Sequence, residues 1–160
     1  MPTARQLLGI ALLALAARFA TAAEAPPQYD GATPLQWSER LAQSEMKRLG
    51  PALESGHGKA RWDYSPGVLA LALVRLGAVT GNESYTQFGT RAVASHVNAD
   101  GTIKGYKLED YSVDNIPPGK VLLAALARGE QNTAYVKAVQ TLRQQMATHP
   151  RTSEGGFWHK

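Results

Sequence analysis

Residues Gly67 to Val79 read GVLALALVRLGAV, and no polar side chain interrupts them before Arg75. A surface helix shows polar residues along its outer face, so a stretch apolar on nearly every face reads as a helix with protein on both sides. Pro66 suits its first turn, and Gly81 is placed to close it. The pattern recurs at Lys120 to Arg128, KVLLAALAR. The helices between and after are of another kind. From Glu83 to about Val97, Tyr85, Phe88, Ala92 and Val93 form one apolar stripe. A later helix ending at His149-Pro150 aligns Tyr135, Ala138, Val139, Leu142 and Met146 in the same way. A first helix opens at Thr33-Pro34-Leu35-Gln36, where threonine can cap, proline fits the first turn and glutamine completes a capping box. It runs to Gly50-Pro51.

The order buried, amphipathic, buried, amphipathic is an internal repeat. Pro66-Gly67 recurs as Pro118-Gly119, Tyr85 as Tyr135, and the loop Asp100-Gly101 is answered by Gly155-Gly156. The period is about fifty residues, longer than tetratricopeptide or ankyrin repeats. A double ring of helical hairpins fits, because its inner helices are sandwiched while its outer helices show one face to water. The fold class expected is all-α, a toroid of hairpins of which about the first five helices are present.

Upstream, Arg5 precedes an apolar run from Leu7 to Ala17, and Ala20-Thr21-Ala22 is a small-x-small cleavage pattern. Residues 1–23 therefore read as a secretory signal peptide, too short to persist as a membrane anchor. The rest, 24–160, is one domain with a periplasmic or secreted destination. Arg5 and Arg18 account for two of the formal +4 charges, and the remaining Lys and Arg are scattered. That excludes a phosphate-tracking nucleic-acid surface. With no cysteine, the domain relies on an ordinary core.

Three loops carry candidate chemistry. In RWDYSPG, Trp62 and Tyr64 offer flat faces suited to sugar rings, or else pack the helix entry. In YSVDNIPPG, Asp114 and Asn115 precede the fourth helix; Asp114 could do acid or base work with a pKa raised by partial burial, or cap the helix. In the terminal RTSEGGFWHK, the glycines allow close backbone approach and Arg151, His159 and Lys160 could hold a carboxylate, unless the stretch is a frayed tail. His57, His96, His149 and His159 are isolated, so no metal site is expected.

Taken in order, RWDYSPGVLALAL, TGNESY, DGTIKGY, DNIPPGK and PRTSEGGFWHK resemble the unsaturated rhamnogalacturonyl hydrolases of glycoside hydrolase family 105, and more loosely the unsaturated glucuronyl hydrolases of family 88. The resemblance runs from about Gln36 to Lys160. It implies an (α/α)6 toroid with a pocket at one rim and no metal or organic cofactor. The reaction it implies adds water across the enol ether of an unsaturated uronic acid that a polysaccharide lyase leaves on an oligosaccharide. Asp114 matches the first essential aspartate of the family. Trp62 and Tyr64 match its pocket wall, and Trp158 and His159 match a lining loop, with Asn115 and Arg151 as further candidate substrate contacts. The main general acid and base of the family lies in a Met-Trp-x-Asp-Gly motif after FWHK, and these 160 residues contain no such motif. The expectation is an N-terminal part of the catalytic domain, inactive alone. The alternatives are a non-catalytic carbohydrate-binding or scaffolding toroid, or a non-functional remnant.

Overall fold

The computed structural model describes residues 25–50 and 61–158. The expected signal peptide, residues 51–60 and His159 lie outside the described residues. The chain divides into two units, residues 1–35 and 36–160. Within the first, Tyr29 and Ala32 exchange backbone hydrogen bonds of 2.9 and 3.1 Å around Asp30-Gly31. Both turn residues have positive φ, 48° and 69°, which is the mirror-image turn that an Asp-Gly pair favours.

The described helices are α1 (Pro34–Leu49), α2 (Tyr64–Thr80), α3 (Glu83–Ala94), α4 (Gly119–Ala127) and α5 (Thr133–Thr148), with short 3-10 turns at Leu108–Asp110 and Val113–Asn115. Among the described residues, extended pairing is confined to isolated bridges. The all-α reading holds. Asp63 starts α2 by accepting from the Tyr64 N–H, and Gly81 at φ 71° ends it. The repeat shows in the next two caps. Asn82 accepts from Ser84 N at the start of α3, and Asn132 accepts from Ala134 and Tyr135 N at the start of α5. The third helix stops at Ala94, short of the end expected near Val97, and Val97 instead bridges Ile103.

Two apolar clusters organise the second unit. Ala42 of α1 packs with Leu73 and Leu76 of α2 and with Tyr85 and Phe88 of α3. The larger cluster joins Ala70 and Val74 of α2, Val93 of α3, Val121 and Leu122 of α4, and Ala138, Val139 and Leu142 of α5, with Trp62 and Ile103 from the loops. The start of α4 sits on the start of α2. A Cβ at Gly67 would lie 2.7 Å from the Pro118 nitrogen, so only glycine permits that approach.

The sandwich expected around α2 and α4 is closed on one side only. Val68 and Val79 of α2 are 56% and 71% exposed, and Leu123 of α4 is 51% exposed. Their other faces lie in the core, which is why both sequences are apolar throughout. Among the described residues nothing covers the outer faces, and no described helix is long and apolar enough to cross a membrane.

Candidate functional site

Asp114 lies in the 3-10 turn Val113–Asn115, not at the cap of α4. That position belongs to Pro118, which has no side chain able to cap. Two prolines in a row displace the helix start beyond the aspartate, so the capping alternative fails on geometry. The turn is pinned at both ends. Before Asp114, the Ser112 carbonyl accepts from Gln145 Nε2 at 2.8 Å. After it, the Asn115 carbonyl accepts from the Trp62 indole N–H, also at 2.8 Å.

Gln145 itself is fully buried on α5, and its Oε1 accepts from the Tyr106 hydroxyl at 2.8 Å. One amide thus ties both ends of the loop from Tyr106 to Ser112 to the outer helix. Burial, and then the Glu109 carboxylate, pushes the Tyr106 hydroxyl up to about 12. It therefore stays protonated and remains a donor at neutral pH.

Around this turn is a hollow of about 480 Å³, lined by Asp114, Asn115, Trp62, Arg61, Asp63, Ser112 and the segment carrying His96, Lys104 and Gly105. Three residues singled out in the sequence meet here, namely Asp114, Asn115 and Trp62. Trp62 is 6% exposed, so it is chiefly a core residue. Its role in positioning Asn115 is firmer than any role as a stacking platform. Tyr64 is half exposed and is not part of this lining.

The terminal stretch is folded on itself. Arg151 and Phe157 form a bridge, the Arg151 guanidinium lies 3.5 Å from the Phe157 ring centroid, and Arg151 Nη1 donates to the Gly155 carbonyl. Arg151 and the exposed Trp158 do not line the hollow. The loop is nonetheless tied to the Asp114 segment through His149. That ring is buried, packs edge-on against Tyr111 and Phe157, and faces the Trp158 carbonyl at 2.7 Å through Nε2. A carbonyl can only accept, so Nε2 is the donor, while Nδ1 is buried without a hydrogen-bond partner among the described residues.

The sequence reading missed Arg61, His96, Lys104 and Gln145. His96 was noted only as unsuited to metal binding, yet its half-buried ring joins the hollow. Burial, and then the Lys104 charge, lowers its pKa below the ordinary value. A second groove of about 420 Å³ lies between α3, the α4–α5 turn and α5. Its two arginines are already engaged. Arg128 contacts Thr90 and Glu130, and Arg91 lies over Phe88. Among the described residues no group of three His, Asp or Glu side chains is arranged to hold a metal ion.

The model of Glycosyl Hydrolase Family 88 matches residues 37–160. The solved structure of a glycoside hydrolase from family 105 of C. acetobutylicum ATCC 824 is similar at 32% sequence identity with a TM-score of 0.64. The likeness covers 78% of this chain and 32% of that one. The chain thus spans about a third of that relative's length.

Proposed function

The chain belongs to glycosyl hydrolase family 88, and from that membership we propose that it serves the removal of a terminal unsaturated uronic acid from lyase-generated pectic oligosaccharides of the rhamnogalacturonan type. The chemistry is hydration of an enol ether. A carboxylic acid protonates a vinyl carbon, the resulting carboxylate activates a water that adds to the neighbouring carbon, and the hemiketal then collapses to release the sugar. This differs from ordinary glycosidases, where two carboxylates flank an oxocarbenium-like centre.

The observation that carries the reading is the pinned turn that presents Asp114 to a hollow. Preorganised placement is what acid–base chemistry needs, since small misplacements of a reacting group cost large factors in rate. Asn115, beside it on the same lining, is assigned to substrate hydroxyls. Tyr64, Arg151, Trp158 and His159 remain proposed contacts for the more distant sugar. The route to the substrate is export through the N-terminal leader.

The main acid and base of the family is expected in a Met-Trp-x-Asp-Gly sequence, and the 160 residues hold none. The chain by itself is therefore expected to bind and not to turn over. The test follows loss of the conjugated double bond in unsaturated galacturonyl-rhamnose. No loss above an empty-vector control is expected from this chain. Turnover is expected from a version extended to family length, and Asp114→Asn abolishes it while sugar binding persists. Turnover that survives Asp114→Asn would contradict the assignment.

A further inference from the structure

We propose that Arg61, His96 and Lys104 form a carboxylate seat on the basic side of the hollow, and that His96 takes up a proton as the acid group arrives. The proposal rests on the reading of the hollow as a uronide site and says which groups hold the charge.

Three basic side chains from two separate loops converge on one lining. Arg61 comes from the entry to α2, while His96 and Lys104 come from the segment after α3. The latter two are fixed to each other, because the Lys104 backbone N–H donates to the His96 carbonyl at 2.8 Å. The Lys104 ammonium in turn donates to the Ser95 carbonyl at 2.8 Å. A carbonyl holds the ammonium in place without neutralising it, so the charge remains available to an anion.

Two carboxylates share the lining with these groups, Asp63 and Asp114. Asp63 is committed to the cap of α2. Asp114 comes from the pinned turn, a third segment. The empty hollow therefore keeps a poorly solvated imidazole beside a fixed ammonium, a combination that disfavours protonation of His96. A carboxylate bound between them opposes that balance. It offsets the Lys104 charge and stabilises the imidazolium, which then becomes a second charged donor.

A neutral sugar does neither. The seat thus selects uronic acids over neutral sugars, and its affinity rises as pH falls through the His96 midpoint. The gain holds while the ligand's own carboxyl stays ionised, down to a pH of about 4.

The experiment is a proton NMR titration of the histidine rings in the 160-residue chain, with His96→Asn used to assign the His96 signal. D-galacturonate, D-galactose and acetate are the three probes. With galacturonate the His96 midpoint is expected to rise by roughly one pH unit, and with galactose it stays unmoved. Arg61→Gln and Lys104→Met, both at exposed positions, are each expected to weaken galacturonate binding by roughly tenfold. Acetate that matches galacturonate in affinity and in its effect on His96 would support the carboxylate seat while removing the sugar reading. Equal binding of galacturonate and galactose with an unmoved His96 midpoint would overturn the seat and leave the sugar site standing. No response of His96 to any probe would overturn the seat outright.

Discussion

Replacing Gln145 by leucine removes the amide that anchors the loop leading into the Asp114 turn, at nearly constant volume. Two hydrogen bonds of 2.8 Å are lost, to the Ser112 carbonyl and from the Tyr106 hydroxyl. Each contributes about 1 kcal/mol net, and a buried polar group left without its partner costs about 1–3 kcal/mol more. The Ser112 carbonyl keeps a second donor, the Asn115 N–H at 3.2 Å, so its share of that penalty is small. The Tyr106 hydroxyl is only half-buried and regains part of its loss from water. Against these terms, leucine needs no desolvation of an amide, which returns about 1 kcal/mol. The net expectation is a loss of about 2 kcal/mol, a factor of about thirty in the folding equilibrium. Urea unfolding of wild type, Gln145→Leu, Tyr106→Phe and the double variant reads it, and the cycle gives the coupling between the two side chains. Amide exchange at Asn115 should accelerate in Gln145→Leu, since the turn has lost one of its two anchors. A loss below about 0.5 kcal/mol with unchanged exchange at Asn115 would refute the pinned-turn reasoning.

Three further outcomes are expected. Gly67→Val places carbon within 2.7 Å of the Pro118 backbone, so it should lower stability by about 2 kcal/mol or more and increase exchange of the Trp62 indole N–H; a thermal midpoint equal to wild type would count against the close approach of α2 and α4. His96 is held neutral by the fold, so its contribution is complete above the ordinary value of 6.5 and is lost as pH falls from there through its lowered folded value; stability measured from pH 8 to pH 5 should decline less in His96→Asn than in wild type, and parallel curves would show that the ring is not desolvated. Lysine at Val68 and Val79 should reduce self-association in sedimentation velocity without loss of helicity, because both lie on an uncovered apolar face; aggregation unchanged by the double substitution would mean that another surface drives it.

What the sequence showed and what it hid divide along local and non-local physics. The helix ends follow from neighbours in the chain; Gly81 was read as one from residue type, while the Asn82 and Asn132 caps, equally local, were not singled out. The apolar stripes of α3 and α5 were likewise local. Gln145 was not legible, because a glutamine on a helix is ordinarily a solvent residue, and only the return of the loop from Tyr106 to Ser112 over α5 buries it. Arg61, His96 and Lys104 were hidden for a related reason, since no spacing rule joins residues that loops of different hairpins bring to one hollow. For Asp114 the residue was seen, but from the sequence alone capping was an equal or better account. In the structure the cap position of α4 is Pro118, so Asp114 is not the cap of that helix. The outer faces of α2 and α4 show the converse, where the sequence expected a neighbour that the described residues do not supply.

The most direct test of the account adds unsaturated galacturonyl-rhamnose to isotopically labelled chain and maps the shifted backbone and indole signals. The account predicts that the largest changes fall on the amides of Asp114 to Ile116, on Lys104 and Gly105, and on the Trp62 indole. Changes centred instead on Arg91, Arg128 and Tyr135 would place the sugar in the other groove and contradict it.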